Sequence, residues 1–191
     1  MRRLCFILVL CAFVATPAIG EMMVKIYDGV GNTAGGEFLA EVLDDSIGIY
    51  DKGDFISTFC IETSEYLNIG GTYYVSLSHY AILGRQELPG DLLNDQSARI
   101  YNYWLDSLDH IAANADDVQN ALWHEEGEGG SSNYLNSIAW DASNVMVMNL
   151  WGDAAHTVYK QDLLVRVPVP AAVLIGMLGL AAAGLKLRKF V

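Results

Sequence analysis

The chain of 191 residues is poor in cysteine, proline and basic residues, and each shortage excludes some possible structures or functions. It has three cysteines, of which two lie in an apolar N-terminal segment, so Cys60 alone remains in the body of the chain. A single cysteine cannot form an internal disulfide, and its thiol must be buried, paired between chains or used in another bond. Pro89 is the only proline between the N-terminal segment and Pro168, so no proline-rich linker divides a domain there.

Basic residues are scarce where acidic residues are concentrated. All 23 Asp and Glu residues lie between Glu21 and Asp162, whereas six of the 11 Lys and Arg residues lie between Glu21 and Arg166, which leaves this part with a formal charge of −17. Such a domain repels phosphates and anionic lipids, so we expect no nucleic-acid partner. Binding of cations or basic partners remains compatible with this charge. The alternative is that the acidic surface only keeps an exported protein soluble.

The N-terminus has the three parts of a secretory signal peptide. Two arginines are followed by an apolar stretch over residues 4–14 and by a small-x-small run that ends at Gly20, before Glu21. The stretch is shorter than the roughly 20 residues that a membrane-spanning helix needs. We therefore predict a signal peptide over residues 1–20, cleaved between Gly20 and Glu21.

The C-terminal segment, residues 167–191, combines a short proline motif, an apolar segment and a basic tip. The apolar part covers residues 171–185, three basic residues follow within 186–189, and the motif in front is Val167-Pro168-Val169-Pro170. This layout resembles the PEP-CTERM sorting tail, in the variant whose motif is Val-Pro-Leu-Pro-Ala. Val169 stands where many members of the family have a glutamate.

The resemblance to PEP-CTERM tails implies a Gram-negative bacterium, an exosortase that cleaves near the proline motif, and a link with exopolysaccharide production. The basic tip is expected to stay in the cytoplasm by the positive-inside rule, so residues 21–166 form an ectodomain. The protein would pass through an inner-membrane intermediate to the cell surface or the extracellular matrix. The alternative is a plain single-pass tail anchor.

Between the termini, the pattern of hydrophobic residues predicts one domain of strands. Short segments of strand character, bounded by turn residues, lie at 23–27, 37–43, 55–67, 72–80, 144–151 and 163–167. We expect the first two to pair around a glycine-rich turn, and the next two to pair through the turn at residues 68–71.

Two helices are predicted in the middle of this domain. The first starts at Asn94 or Asp95 and places Ala98, Tyr101, Leu105 and Leu108 on one face, with Trp104 on its flank. The second starts near Asp116-Asp117, carries Val118, Leu122 and Glu125 on one stripe, and ends before Gly127. The expected fold is α+β and mainly antiparallel β, a sandwich or barrel with a two-helix insertion, flanked by terminal hydrophobic helices.

Two short motifs in the ectodomain carry the functional signal. Thr58-Phe59-Cys60-Ile61-Glu62 comes first, and Val118-Gln119-Asn120-Ala121-Leu122-Trp123 follows. This pair resembles bacterial thioester domains, in which an aromatic-Cys strand and a Gln-x-Ala-aliphatic-Trp helix supply the two ends of a Cys–Gln thioester. The same segments recur in ectodomains with PEP-CTERM tails. The resemblance carries over to Cys60 and Gln119; Val118 and Leu122 stand where the family usually has Thr and Ile.

The implied bond has definite physical requirements. The Cys60 thiolate attacks the side-chain carbonyl of Gln119 and ammonia leaves, which needs sulfur and carbon about 3–3.5 Å apart. It also needs a donor for the developing oxyanion, for which a backbone amide at the N-terminus of the second helix is a candidate. An amine on a surface or matrix polysaccharide or protein would then open the thioester and stay covalently attached.

The first hypothesis is therefore a non-enzymatic, adhesin-like surface protein with a Cys60–Gln119 thioester. The second is a structural protein of the exopolysaccharide or biofilm matrix, with Cys60 buried and inert and Gln119 on an exposed helix face. We expect no cofactor and no metal, because His124 lacks a second histidine at zinc-protease spacing and neither Asp pair, 44–45 or 116–117, matches an EF-hand. A hydrolytic enzyme has no assembled motif.

Overall fold

The computed structural model describes residues 21–31, 36–44, 47–83 and 90–167. Within these ranges no helix combines the length and the hydropathy needed to cross a bilayer. The predicted signal peptide, with Gly20, lies outside the described residues, and so do Pro168, Val169, Pro170 and the apolar segment that follows them. The described residues cover the predicted ectodomain, residues 21–166, apart from three gaps, and include Val167 of the predicted sorting motif.

The described secondary structure is mainly β, with a helical pair between the strands. In chain order it comprises β1 (Met23–Asp28), β2 (Phe38–Val42), β3 (Phe55–Thr58), β4 (Thr72–Ser78), β5 (Tyr80–Ala81), β6 (Asp91–Leu92), α1 (Asp95–Ser107), α2 (Ala112–Glu125), a 3-10 turn at Tyr134–Ser137, β7 (Val145–Trp151) and β8 (Leu163–Arg166). The predicted class, mainly antiparallel β with two inserted helices, is confirmed.

Six of the strands form one sheet in the order β3-β2-β1-β4-β7-β8, and every neighbouring pair is antiparallel. The first four strands have the spatial order of a Greek key. The predicted pairing of 55–67 with 72–80 is wrong, because β3 pairs with β2, while β4 pairs with β1 and β7. The turn before β4 forms backbone hydrogen bonds with β1 instead: Ile26 N donates to Gly71 O, and Gly70 N donates to Ile26 O.

The sheet nearly closes into a barrel through the residues that follow β3. Thr58 Oγ1 donates to Leu164 O at 2.6 Å, and Leu164 N donates to Phe59 O at 3.1 Å. Cys60 then forms an isolated antiparallel bridge with Leu163. We call this contact of residues 58–61 with residues 162–164 the seam. The strand predicted over 55–67 is regular only to Thr58. At the seam the chain stops pairing with β2 and pairs with the start of β8 instead.

Two hydrophobic cores lie on the two faces of the sheet. The barrel core includes Val24, Ile26, Ile56, Cys60, Val75, Met148, Leu150, Leu163 and Val165. The helix-side core includes Phe59, Ile61, Tyr101, Trp104, Val118, Leu122, Val147 and Leu164. Because successive residues of a strand point to opposite faces, Phe59 and Cys60 enter different cores, as do Leu164 and Leu163.

Helix α1 packs on β3 immediately before the seam. Asn94 caps the helix by accepting a hydrogen bond from Gln96 N, as predicted. The buried face is centred one position away from the predicted stripe, since Trp104 is fully buried while Leu105 and Leu108 are partly exposed. The Trp104 ring meets Phe59 edge-on at 5.2 Å, and its indole N–H donates to Ser57 Oγ at 2.8 Å.

Helix α2 begins at Ala112, one turn before the predicted start near Asp116. The prediction relied on the carboxylates as N-terminal residues, but Ile111 occupies the N-cap position without a side-chain bond, and the Ala-Ala run that follows favours the helix by propensity alone. The predicted C-terminal end is confirmed: the helix ends at Glu125, and Gly127 has a positive φ of 72°.

The seam predicts a stability effect for Thr58→Val, which keeps the shape of the side chain but removes its bond to Leu164 O. We expect the free energy of unfolding to fall by about 1 kcal/mol, because a buried carbonyl loses a donor. Chemical denaturation measures this effect, with Thr72→Val, an exposed position on β4, as the matched control. Equal stability of the two variants would contradict a contribution of this bond to barrel closure.

Candidate functional site

Cys60 lies at the seam with its side chain completely buried. The bridge to Leu163 fixes its backbone, and Ile61 N donates to Asp162 O at 3.3 Å on the next residue. Because these contacts tie the backbone at Cys60 and Ile61 to the chain entering β8, the direction of the Cys60 side chain is set by closure of the sheet. Within the described residues it is a free cysteine.

Gln119 approaches this cysteine from α2. The Cys60 thiol donates to Gln119 Oε1, with 3.2 Å between sulfur and oxygen. In return, Gln119 Nε2 donates to the backbone oxygen of Cys60 at 2.8 Å. Gln119 is completely buried, so the alternative interpretation that it lies on an exposed helix face is wrong. The two residues that the motifs singled out are in direct contact, with both polar atoms of the amide paired.

The contact distance is close to what acyl transfer needs. A carbonyl bond is about 1.2 Å long, so the carbonyl carbon of Gln119 lies within about 4.4 Å of the Cys60 sulfur. Attack geometry requires about 3–3.5 Å. Sulfur and carbon therefore need to approach each other by at most about 1.4 Å to reach attack distance.

Burial strongly opposes ionisation of the Cys60 thiol. Desolvation raises its pKa from 9.0 to about 12, against smaller lowering contributions from its own backbone N–H and the Trp123 indole, while the Glu62 charge raises it further. The thiolate is the nucleophilic form of cysteine. Attack on Gln119 therefore requires a group that takes the proton, or an opening of the site in which water reaches the sulfur.

Trp123 places a hydrogen-bond donor, its indole N–H, close to the Cys60–Gln119 pair. It lies four residues after Gln119 and thus on the same face of α2. Its indole N–H is buried and has no hydrogen-bond partner among the residues that the structure describes, yet Trp123 lowers the pKa of the Cys60 thiol. A buried orphan donor is costly, and such groups call for an explanation.

The backbone donor predicted for the oxyanion is not in place. The free N–H groups of α2 lie at its N-terminus, and Gln119 is seven residues beyond Ala112, or about 10 Å along the helix axis. The Trp123 indole is the donor that the structure brings near the sulfur instead. The motif contained Trp123, but its spacing alone indicated only a core residue.

Three carboxyl groups lie beside the seam, and no role was predicted for them. Glu62 and Asp162 are completely buried, while Glu65 is partly exposed. Glu62 Oε1 accepts from Asp162 N at 3.0 Å, and Asp162 Oδ2 accepts from Ile82 N at 2.6 Å. One oxygen of each of the three carboxyl groups is buried and has no donor among the described residues: Glu62 Oε2, Glu65 Oε2 and Asp162 Oδ1.

Burial favours the protonated form of these carboxyl groups. Desolvation is the largest cause that raises the pKa of Glu62, of Glu65 and of Asp162. Contact between Glu62 and Glu65 raises the pKa of Glu62 and lowers that of Glu65, as expected when a protonated Glu62 donates to the Glu65 carboxylate. Protonation thus supplies the donor that the buried oxygens otherwise lack.

The remaining candidates from the sequence were acidic and histidine residues considered for a metal site. Within the described part of the chain, no group of three or more His, Cys, Asp or Glu side chains is arranged to hold a metal ion. Asp116 and Asp117 lie within α2, on its second turn. Two histidines that the sequence did not single out pack on indole rings: His110 stacks on Trp104 at 4.1 Å, and His156 stacks on Trp151 at 4.9 Å.

Comparison of the chain with known protein-family models, with curated protein sequences and with solved structures gives no match.

Burial of Cys60 predicts slow alkylation in the folded state. In a Gln119→Met variant, which removes the carbonyl but keeps the volume, iodoacetamide at about pH 8 should modify Cys60 at least about 1000-fold more slowly than in concentrated guanidinium chloride. The reason is that three decades of thiolate population separate a pKa of 9.0 from one of about 12. A mass-spectrometric time course measures both rates, and similar rates would contradict the buried position.

The carboxyl cluster predicts that stability falls as pH rises. The folded state holds the Glu62 proton more tightly than the unfolded chain, whose pKa is near 4.5. The stabilisation is present below about pH 4.5 and is lost as pH rises towards the folded-state pKa. In a Cys60→Ala background, Glu62→Gln should therefore match its parent at about pH 4 and exceed its stability by at least about 1 kcal/mol at about pH 8.

Denaturant unfolding at both pH values measures the Glu62→Gln effect. Glu21→Gln, an exposed position at the start of the described chain, removes the same charge and should show no such pH dependence. A stability difference between Glu62→Gln and its parent that is the same at both pH values would mean that Glu62 is not protonated preferentially in the folded state.

Proposed function

We propose that the protein is an exported, surface-anchored, adhesin-like protein in which Cys60 and Gln119 form an internal thioester that attaches it covalently to amine-bearing partners. The observation that carries this proposal is the buried, reciprocal contact between the two side chains, with 3.2 Å between sulfur and amide oxygen. Chance pairing is a poor explanation, because the two residues come from the seam and from a separate helix.

The bond-forming step is balanced without any further reactant. The Cys60 sulfur bonds to the carbonyl carbon of Gln119, the carbon–nitrogen bond breaks, and the thiol proton leaves with the nitrogen as ammonia. Gln119 Nε2 already donates to the Cys60 backbone oxygen, which holds the leaving group in one orientation. The surrounding barrel core excludes water, which would otherwise hydrolyse the thioester.

The bond also stabilises the fold. It closes a loop between residues 60 and 119, a separation of 59 positions. By the chain-entropy estimate for cross-links, a loop of this length contributes about 4 kcal/mol. Since a domain of this kind is stable by about 5–15 kcal/mol, the bond would hold α2 against the seam even before a partner opens it.

The proposal also includes export and sorting, which are inferred from the sequences of the two termini. A signal peptide over residues 1–20 leads to the oxidising exterior, and a PEP-CTERM-like segment from Val167 onward presents the ectodomain to an exosortase. The acidic ectodomain, with a formal charge of −17, favours cationic amine-bearing partners such as basic proteins or amino sugars of the matrix.

A second function has one observation in its favour. The pKa of about 12 for Cys60 is what an inert, buried thiol has. The protein would then be a structural component of the exopolysaccharide or biofilm matrix and would bind through its acidic surface and exposed aromatic residues, of which Tyr66 is 80% exposed.

Intact-mass measurement of the exported protein decides between these functions. We expect a mass lower than that of the plain sequence by one ammonia, and uptake of one methylamine at residue 119 on treatment with the amine. Cys60→Ala and Gln119→Ala should each restore the mass expected from the sequence and abolish uptake. A wild-type mass equal to the plain sequence, with one alkylatable thiol after unfolding, would refute the thioester and favour the matrix protein.

A further inference from the structure

A cavity of about 220 Å³ lies beside the Cys60–Gln119 pair. Its walls come from the loop after the seam, from α2 and from the residue before Asp162, and the lining residues are Thr63, Glu65, Tyr66, Trp123 and Gln161. This volume is below that of pockets for drug-sized ligands, which begin near 300 Å³. It suits a single extended side chain.

Hydrogen bonds hold the walls of this cavity in position. Thr63 N and Thr63 Oγ1 donate to Glu128 Oε2 at 3.2 and 2.9 Å, which ties the loop after the seam to the residues that follow α2. Gln161 Nε2 donates to Glu62 O at 3.1 Å and ties the same loop to the chain entering β8. The cavity is therefore formed before any ligand arrives.

Trp123 connects the cavity with the reactive pair. Its ring lines the cavity and also packs against the barrel core that contains Cys60. Its buried indole N–H has no partner within the described part of the chain, and Trp123 lowers the pKa of the Cys60 thiol. The cavity and the sulfur thus share the Trp123 ring as a wall, and a ligand in the cavity is one side chain away from the proposed bond.

The lining has the chemistry of a site for an organic cation. Glu65 contributes the carboxyl group of the lining. Trp123 and the 80% exposed Tyr66 supply aromatic faces. Lys160 already acts on Glu65 electrostatically, so an incoming ammonium group competes with this lysine for the carboxylate. Aromatic faces beside a carboxylate attract ammonium groups and their methylene chains.

Resting on the thioester proposed above, we propose that this cavity is the amine-binding subsite of the bond and that it takes a protonated primary alkylamine such as a lysine side chain. The ammonium group lies against Glu65, with its methylenes between Trp123 and Tyr66. Amine recognition by these residues would select charged alkylamines over hydroxyl or neutral nitrogen nucleophiles.

The reaction in this subsite balances without a further reactant. The ammonium group gives one proton to the Glu65 carboxylate, and the neutral amine attacks the carbonyl carbon of residue 119 as the Trp123 ring turns aside. The carbon–sulfur bond breaks, and a second proton from the nitrogen passes to the Cys60 sulfur. The products are an amide between partner and residue 119, a protonated Glu65 and a free thiol.

The kinetic test compares two nucleophiles on the full-length protein made in an exporting host. Nα-acetyl-lysine methylamide is charged near neutral pH and hydroxylamine is not. Glu65→Gln should slow uptake of the lysine probe about tenfold and change hydroxylamine uptake by less than about twofold, as expected when one ion pair is lost. Tyr66→Ala should slow the lysine probe in the same selective way, and because Tyr66 is 80% exposed the substitution removes little packing.

Asp51→Asn is the matched control, since it removes one exposed acidic charge outside the cavity. It should change neither rate. Equal slowing of both nucleophiles by Glu65→Gln, or no slowing of either, would overturn the subsite while leaving the thioester intact.

A binding measurement separates the subsite from the bond itself. In full-length Cys60→Ala, which cannot form the thioester, the lysine probe should shift the NMR signal of the Trp123 indole N–H saturably, and Glu65→Gln in that background should abolish the shift. Absence of a shift would overturn the subsite even if the wild-type mass reveals the bond. A shift together with a wild-type mass that shows no ammonia loss would support the subsite and refute the thioester.

Discussion

Closure of the sheet at the seam is the constraint on which the rest of the structure depends. The backbone pairing of residues 59–61 with residues 162–164 nearly closes the sheet into a barrel and fixes the direction of the Cys60 side chain. It also brings Asp162 next to Glu62, which buries two carboxyl groups together. One set of backbone bonds therefore accounts for the barrel, for the buried thiol and for the carboxyl cluster beside it.

Burial at the seam has opposite consequences for making and keeping a thioester. Desolvation leaves the Cys60 thiol with a pKa of about 12, which slows its attack on Gln119. The same desolvation keeps water from the product. A bond formed while the seam is still open, or with a carboxyl of the cluster as proton acceptor, would then be preserved by folding. The orphan Trp123 indole N–H is positioned to stabilise charge near the sulfur in either case.

The sequence predicts those parts of the fold that depend on local pattern. Alternating residues located most strands, Asn94 located the start of α1, and the paired motifs located Cys60 and Gln119. Strand pairing was not predictable, because nothing in the alternation of 55–58 distinguishes β2 from β4 as partner. Neither was the carboxyl cluster: Glu62 and Asp162 stand 100 positions apart and meet only because β8 closes the barrel.

The placement of α2 explains why contact between the motifs is specific. Val118 and Leu122 anchor the helix in the helix-side core, while Gln119, between them in sequence, is turned towards the barrel core. A buried glutamine amide is costly unless both of its polar atoms are paired, and here the thiol and the backbone of Cys60 satisfy them. Cys60 therefore gives Gln119 its place in the fold, and any replacement of the cysteine leaves the amide oxygen without that donor. The pairing is a folding constraint in the unbonded protein, and the proposed thioester would turn the same contact into a covalent one.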